Sequence, residues 1–441
     1  MTASENQTHE GPPDLIVERA RLAPGTNTGT GTGTVVAELV DVVVRDGRIV
    51  TLGPGVGAGV AARERIVADG GLITAPFTEP HSHPDKALSR RSIGPQGLPS
   101  PLTDRPSLMQ RQRDLKATFT REEVADRAGA FLRLAAAQGV GTVAGQTDID
   151  TVTGLTSFEG VMDAREAHAD LLDLRVTAFP QEGLVQDPGA YDLVAAALAA
   201  GADRVGGWPN NERSPEDQLT HLDQVFELAE RFGVGIDINI DYFTDPTERL
   251  LLPLAERTLA HGMRGLVNAN HVGALETYAE DDARKVIEKV AEAGITVTVC
   301  PTNLSGSRPY RGVSRAADLL AAGVTVAAGT GNLQDNWEPF GNLDPLDTAR
   351  LAWHAVPLSD EDDQGVETAW RLVTDHAARA AGVPFGTLRP GEPADFVVLA
   401  ATSLTHALRN EPGPRWSIRG GRIVASCRGE IWTAPIPEGV R

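Results

Sequence analysis

The segment Thr74-Ala-Pro-Phe-Thr-Glu-Pro-His-Ser-His-Pro-Asp-Lys86 carries two histidines, His81 and His83, one residue apart, just after the short apolar run 71–77. In a strand or at its end, residues i and i+2 point to the same side. Two imidazoles aimed at one point in a polar pocket are either metal ligands or a paired acid/base site. A His-x-His pair alone is a weak signal. Its meaning depends on the chain around it.

Upstream, 15–22, 35–44 and 48–52 are rich in Val, Ile and Leu and are broken by turn residues such as Asp46-Gly47. They read as strands of a small β-domain, with the Thr/Gly run 25–34 as a loop between two of them. From Gly71 onward short apolar runs alternate with helical stretches at 121–138, 188–200, 215–232, 281–293 and 315–322. The runs lie at 142–144, 175–179, 203–208, 235–240, 265–268, 296–300 and 325–328. With 71–76 counted first, they make eight strands, most followed by a helix, which indicates a parallel barrel. After Ala380 short strands return at 395–399, 416–419 and 422–426. The expected organisation is α/β: a disordered tail over 1–12, then a (β/α)8 TIM-type barrel over 71–380. The barrel is inserted into a small split β-sandwich built from 13–70 and 381–441.

The 441 residues suffice for one barrel of ~250 residues and a satellite domain. A net charge of -20 offers no electrostatic footprint for nucleic acid or an anionic membrane. Residues 1–11 do not read as a secretory signal, and no stretch approaches the roughly 18 apolar residues of a membrane span. A cytoplasmic protein with a small-molecule substrate is expected, and a homo-oligomer is left open. The two cysteines, Cys300 and Cys427, form no metal-type spacing, so neither a disulfide nor a thiolate–zinc scaffold is expected.

Pro76–Lys86 resembles the strand-one signature of the amidohydrolase superfamily, and the likeness extends beyond it. Ala178-Phe-Pro-Gln-Glu-Gly183 is similar to the cytosine deaminase branch, in which that glutamine holds the pyrimidine ring. Asp335-Asn-Trp-Glu-Pro-Phe-Gly341 looks like the family's segment after the eighth strand, and Ala407-Leu-Arg409 with 417–426 matches its close. The resemblance runs from about Pro13 to Ser426.

In such barrels the working residues lie at the C-terminal strand ends. The resemblance implies that His81 and His83 bind a metal and that His271 is the histidine polarising the attacking water. It also exposes departures. Asn239 stands where the branch has a third metal-binding histidine, Tyr242 where it has a catalytic glutamate, and Gly331 where it has a metal-binding, proton-shuttling aspartate. A catalytic zinc normally keeps three protein ligands and one open position, and an amide oxygen is a poor donor. One divalent metal, zinc or iron, is therefore expected to bind weakly or not at all.

The candidate catalytic residues are His271, Asp241 and Tyr242; strand alternation allows only one of the last two to face the axis. Asp241 faces in if the strand continues, and Tyr242 if it ends and the chain turns. Gln181 suits the amide or amidine edge of a heterocycle, Asn239 is a further substrate-binding candidate, and Trp337 either stacks on a planar ligand or packs on the rim. Asp148 and Asp150 are either replacement carboxylates or loop caps. The first reading is an enzyme acting on a C–N bond of a small nitrogenous heterocycle or amidine, other than standard cytosine deamination. A metal-independent isomerase, lyase or cyclase on the same scaffold and a catalytically silent binding homologue are the alternatives.

Overall fold

In a computed structural model, residues 11–26, 35–90, 105–303, 313–358, 363–409 and 415–427 are described. Most of the expected tail, and the Thr/Gly run beyond Thr26, lie outside them. The chain begins with β1 (Leu15–Leu22), β2 (Val40–Arg45), β3 (Arg48–Gly53), β4 (Glu64–Val67) and β5 (Leu72–Thr74). Eight strands follow: β6 (Phe77–Ser82), β7 (Val140–Asp148), β8 (Asp173–Phe179), β9 (Arg204–Val205), β10 (Gly235–Ile240), β11 (Val267–His271), β12 (Thr296–Val299) and β13 (Val326–Ala328). It ends with β14 (Phe396–Leu399), β15 (Arg415–Arg419) and β16 (Arg422–Cys427).

β6 to β13 pair in sequence order, each parallel to the next. The two ends of that sheet meet through a parallel bridge between Ser82 and Gly331, where the Gly331 N–H donates to the His81 carbonyl at 2.8 Å. The result is a TIM-type barrel. The remaining strands form the order β16-β15-β14-β5-β1-β2-β3, with β4 also on β1. β1 serves both halves: its first residues pair with β2 and β4, its last with β5, and the register shifts between Val17 and Ala20 around Arg19 at φ 57°. Leu15, Val42, Ile49, Ile73, Phe396 and Val398 share one core, so the two termini build a single domain.

The run 71–76, expected to be the first barrel strand, splits instead. Leu72–Thr74 pairs with β1 and β14 in the terminal sheet, and the barrel starts at Phe77. Pro76 has no N–H to give a ladder, so the pairing breaks there. The true first strand was hard to read because it holds Pro80 and four polar residues, and its register with β7 is irregular on both sides of Thr78–Glu79.

Helix ends follow local chemistry. Pro215–Phe232 starts where Ser214 Oγ accepts from the Asp217 N–H at 3.1 Å, and it stops at Gly233 in the left-handed region. The helix Arg105–Lys116 ends with Lys116 almost fully buried among carboxylates: 2.5 Å from Asp150, 2.6 Å from Glu182 and 3.5 Å from Asp148. Burial works against that ammonium, but the three carboxylates outweigh it and hold Lys116 above the usual lysine range. No helix among the described residues is long and apolar enough to cross a membrane.

Two stability tests follow. Phe77 is fully buried and meets Trp370 edge-on with ring centroids 5.5 Å apart, anchoring the strand that carries His81 and leads into His83. Phe77→Ala is expected to cost about 3–5 kcal/mol in urea unfolding. Lys116→Met leaves Asp150 and Glu182 without their buried counter-charge, and Asp148 with Lys86 alone, and is expected to cost about as much. Unfolding midpoints unchanged from the parent would refute either expectation.

Candidate active site

At the barrel mouth β6 and β11 bring two imidazoles into contact: His81 Nε2 lies 3.1 Å from His271 Nε2. The His83 ring is 5.2 Å from that of His81, centroid to centroid, and all three residues are buried. His271 ends its strand at φ 73° and Val272 follows at φ 42°. Two consecutive left-handed non-glycine residues are a strained arrangement of the kind that clusters at functional sites. Burial first, then the Lys86 charge, holds His83 well below the usual histidine range, so it is a neutral imidazole near neutrality.

A narrow pocket opens beside these rings, lined by His83, Phe179, Gln181, Trp208, Asn239, Tyr242, Asn332 and Trp337. Its walls are largely aromatic, with Trp208 6.0 Å from Trp337 and 5.4 Å from Tyr242, centroid to centroid. Gln181 has a fixed orientation: its Oε1 accepts from the Lys86 ammonium at 2.5 Å. A lysine cannot accept, so the amide cannot flip. Its Nε2 then has no partner among the described residues, and neither does Asn239 Oδ1. The pocket thus offers a ligand one buried donor and one buried acceptor.

Strand β10 ends at Ile240, and Asp241 at φ 47° turns the chain. The turn swings the Tyr242 ring into the pocket, 4.4 Å from the His271 ring. Asp241 is directed elsewhere. Its carboxylate accepts from Asn210 Nδ2 at 3.0 Å, from the N–H groups of Leu250 and Leu251 at 2.9 Å each, and from the Tyr278 hydroxyl at 3.3 Å. The two backbone donors open the helix Leu251–Ala260, so the geometry makes Asp241 a helix-end anchor. Asp148 and Asp150 are also engaged: Lys86 Nζ lies 2.7 Å from Asp148, and Lys116 pairs with both.

The metal-ligand set that the sequence resemblance implied does not fit these residues. His81 and His83 are in place, but Asn239 offers only an amide oxygen, and at Gly331 only the backbone bonded to His81 is present. Trp208, the last residue of the run 203–208, had no role in the sequence reading, and here it walls the pocket. That reading did not foresee Cys300, just after β12, whose sulfur lies within 4.8 Å of ring nitrogens of His81 and His271. No sequence spacing could signal that, because the three residues come from three strands.

Comparison with known proteins agrees with this architecture. The amidohydrolase family model matches residues 97–425. Pterin deaminase of Rhizobium rhizogenes is 30% identical over 397 residues, 87% of each chain. N-isopropylammelide isopropyl amidohydrolase of Pseudomonas sp. is 26% identical over 367 residues, 82% of this chain and 88% of that one. The crystal structure of 5-methylcytosine deaminase from Klebsiella pneumoniae with phosphonocytosine superposes with a TM-score of 0.83 at 29% identity, covering 95% of this chain and 100% of that one. A closing barrel, a terminal sheet built from both ends and matches of this extent show that the chain belongs to the amidohydrolase family, in its cytosine deaminase-like branch, and is a hydrolytic enzyme.

Proposed function

We propose that the enzyme hydrolyses an exocyclic C–N bond on a small planar nitrogen heterocycle, a ring of the aminopyrimidine, aminotriazine or pterin kind. The observation that carries this reading is the pair of polar atoms in the aromatic slot. Gln181 Nε2 donates and Asn239 Oδ1 accepts, and both lack partners among the described residues. An N–C=O or amidine edge satisfies such a pair, and the flat walls of Phe179, Trp208 and Trp337 suit the faces of a ring. Buried polar groups left unpaired cost free energy, so a ring bearing the complementary edge is selected over one without it. The relatives support the class: their names describe a pterin deaminase and an N-isopropylammelide isopropyl amidohydrolase.

The carbon under attack would sit over the floor where His81, His271 and Tyr242 meet. Hydrolysis there adds a water oxygen to the ring carbon and releases ammonia or an amine. Cytosine is not the expected substrate. In the resembled branch its deamination uses a glutamate and an aspartate for proton transfer, and Tyr242 and Gly331 stand in their places.

An ammonia- and amine-release assay across pterins, N-alkylated aminotriazines, 5-methylcytosine and cytosine tests this reading. Turnover within the common enzyme range, ~1–1000 per second, is expected for at least one of the first three classes and not for cytosine. On the substrate found, Gln181→Leu should raise KM ~10-fold or more, the cost of one hydrogen bond to an otherwise unpaired group. His271→Asn should lower turnover ~100-fold or more while circular dichroism stays unchanged. A panel with no turnover, or a Gln181→Leu variant with unaltered KM, would overturn the proposal.

A further inference from the structure

The histidine contact on the pocket floor has a third member. His81, His271 and Cys300 each offer one ligand atom, and these atoms all lie within 4.8 Å of one another, with the residues buried. They sit at the C-terminal ends of β6, β11 and β12, where barrel enzymes place their chemistry. We propose that these three residues hold a divalent transition-metal ion, zinc by preference, at a site different from the one the strand-one resemblance implies.

The geometry fits that ion. Two nitrogens each 2.0–2.1 Å from one zinc at a tetrahedral angle lie about 3.3 Å apart. His81 Nε2 and His271 Nε2 are 3.1 Å apart. A nitrogen and a thiolate sulfur on the same zinc lie about 3.6 Å apart, so at most roughly 1 Å of side-chain adjustment brings the Cys300 sulfur into place. Imidazole and thiolate together select zinc among the common divalent ions, whereas magnesium or calcium would require oxygen donors. Three protein ligands also leave the open position that catalytic zinc sites keep.

The other convergent trio does not compete. His83, Asp85 and Asp148 also lie within 4.8 Å of one another. There the Lys86 ammonium already sits 2.7 Å from Asp148, and Lys116 lies 3.5 Å from its other oxygen. Two fixed cations make that spot unfavourable for a third.

The site belongs to the pocket of the proposed reaction, so the proposal is tested by binding and spectroscopy, apart from turnover. The full chain is made without a histidine tag in a Cys427→Ser background, stripped with a chelator and titrated with cobalt(II) and zinc(II). One equivalent per chain is expected, with a sulfur-to-cobalt charge-transfer band in the near ultraviolet. Cys300→Ser should abolish that band and weaken zinc by at least ~100-fold, since even outer-shell partners cost 10–100-fold. Cys300→Asp should keep the metal and lose only the band, which separates loss of a ligand from loss of the fold. His83→Ala should keep the band. Failure to bind either metal overturns the proposal. So does metal bound without a charge-transfer band, or binding lost in His83→Ala but unaffected in Cys300→Ser. A charge-transfer band in a protein that turns over none of the heterocycles would leave this site standing and remove only the substrate reading. Turnover without metal would do the reverse.

Discussion

One buried carboxylate ties the barrel seam to the site. Glu79 accepts from the Thr330 N–H at 3.0 and 3.1 Å, from the Thr330 hydroxyl at 2.7 Å, and from the His81 N–H at 3.1 Å. It therefore spans the junction between the first strand and the segment after the eighth, beside the bridge from Gly331 to His81. Burial drives its pKa up to about 7, and its three donors pull back against that. The backbone positions of His81 and Gly331 are set together by this clasp. A floor built of imidazoles at contact distance needs its backbone held to a fraction of an ångström, and donors converging on one acceptor from both sides of the seam provide that.

Behind the floor, charge is arranged to fix orientation. Lys86 and Lys116 reach the same group of carboxylates from different elements, Lys86 from the loop after the first strand and Lys116 from a helix end. Paired in this way the charges tolerate burial that neither sign would tolerate alone. The consequence for the pocket is specific. Lys86 donates to both Asp148 and Gln181, so the Gln181 amide presents its N–H side to any ligand. Recognition thus depends on a lysine that need not touch the substrate.

The alternation of strands and helices was legible because a parallel barrel repeats one signal eight times, and errors in single elements do not change the count. The helix at Pro215–Phe232 was readable to the residue because its serine cap and terminal glycine bracket it. The first strand was misplaced because Leu72–Thr74 is as apolar as any barrel strand, and only tertiary pairing decides which sheet it joins. The choice between Asp241 and Tyr242 rested on a single backbone angle. With Asp241 in the left-handed region, alternation stops and the tyrosine faces inward. Cys300 was dismissed for want of a partner nearby in sequence, while its neighbours His81 and His271 lie on distant strands. Spacing detects sites built on one element; it does not detect sites that the fold assembles.

The substitutions that remove the resembled ligand set and the cluster that replaces it balance one another chemically. The implied set combined histidines with one aspartate and so carried a single negative charge. Asn239 and Gly331 remove a neutral donor and that anion, whereas Cys300 as a thiolate restores one anion beside two neutral imidazoles. On that proposal the charge facing a divalent ion would be unchanged, and the ion would stay in the same mouth. Strand five, freed from ligation, contributes Asn239 and Tyr242 to the substrate pocket instead. His271 changes role as well. With a metal in place it would be a ligand rather than the proton carrier expected from sequence, which leaves the Tyr242 phenol, its ring 4.4 Å from that of His271, as the candidate proton donor. A tyrosine beside a metal suits a leaving group that must be protonated more than a water that must be deprotonated, because its ordinary pKa lies far above that of a catalytic glutamate.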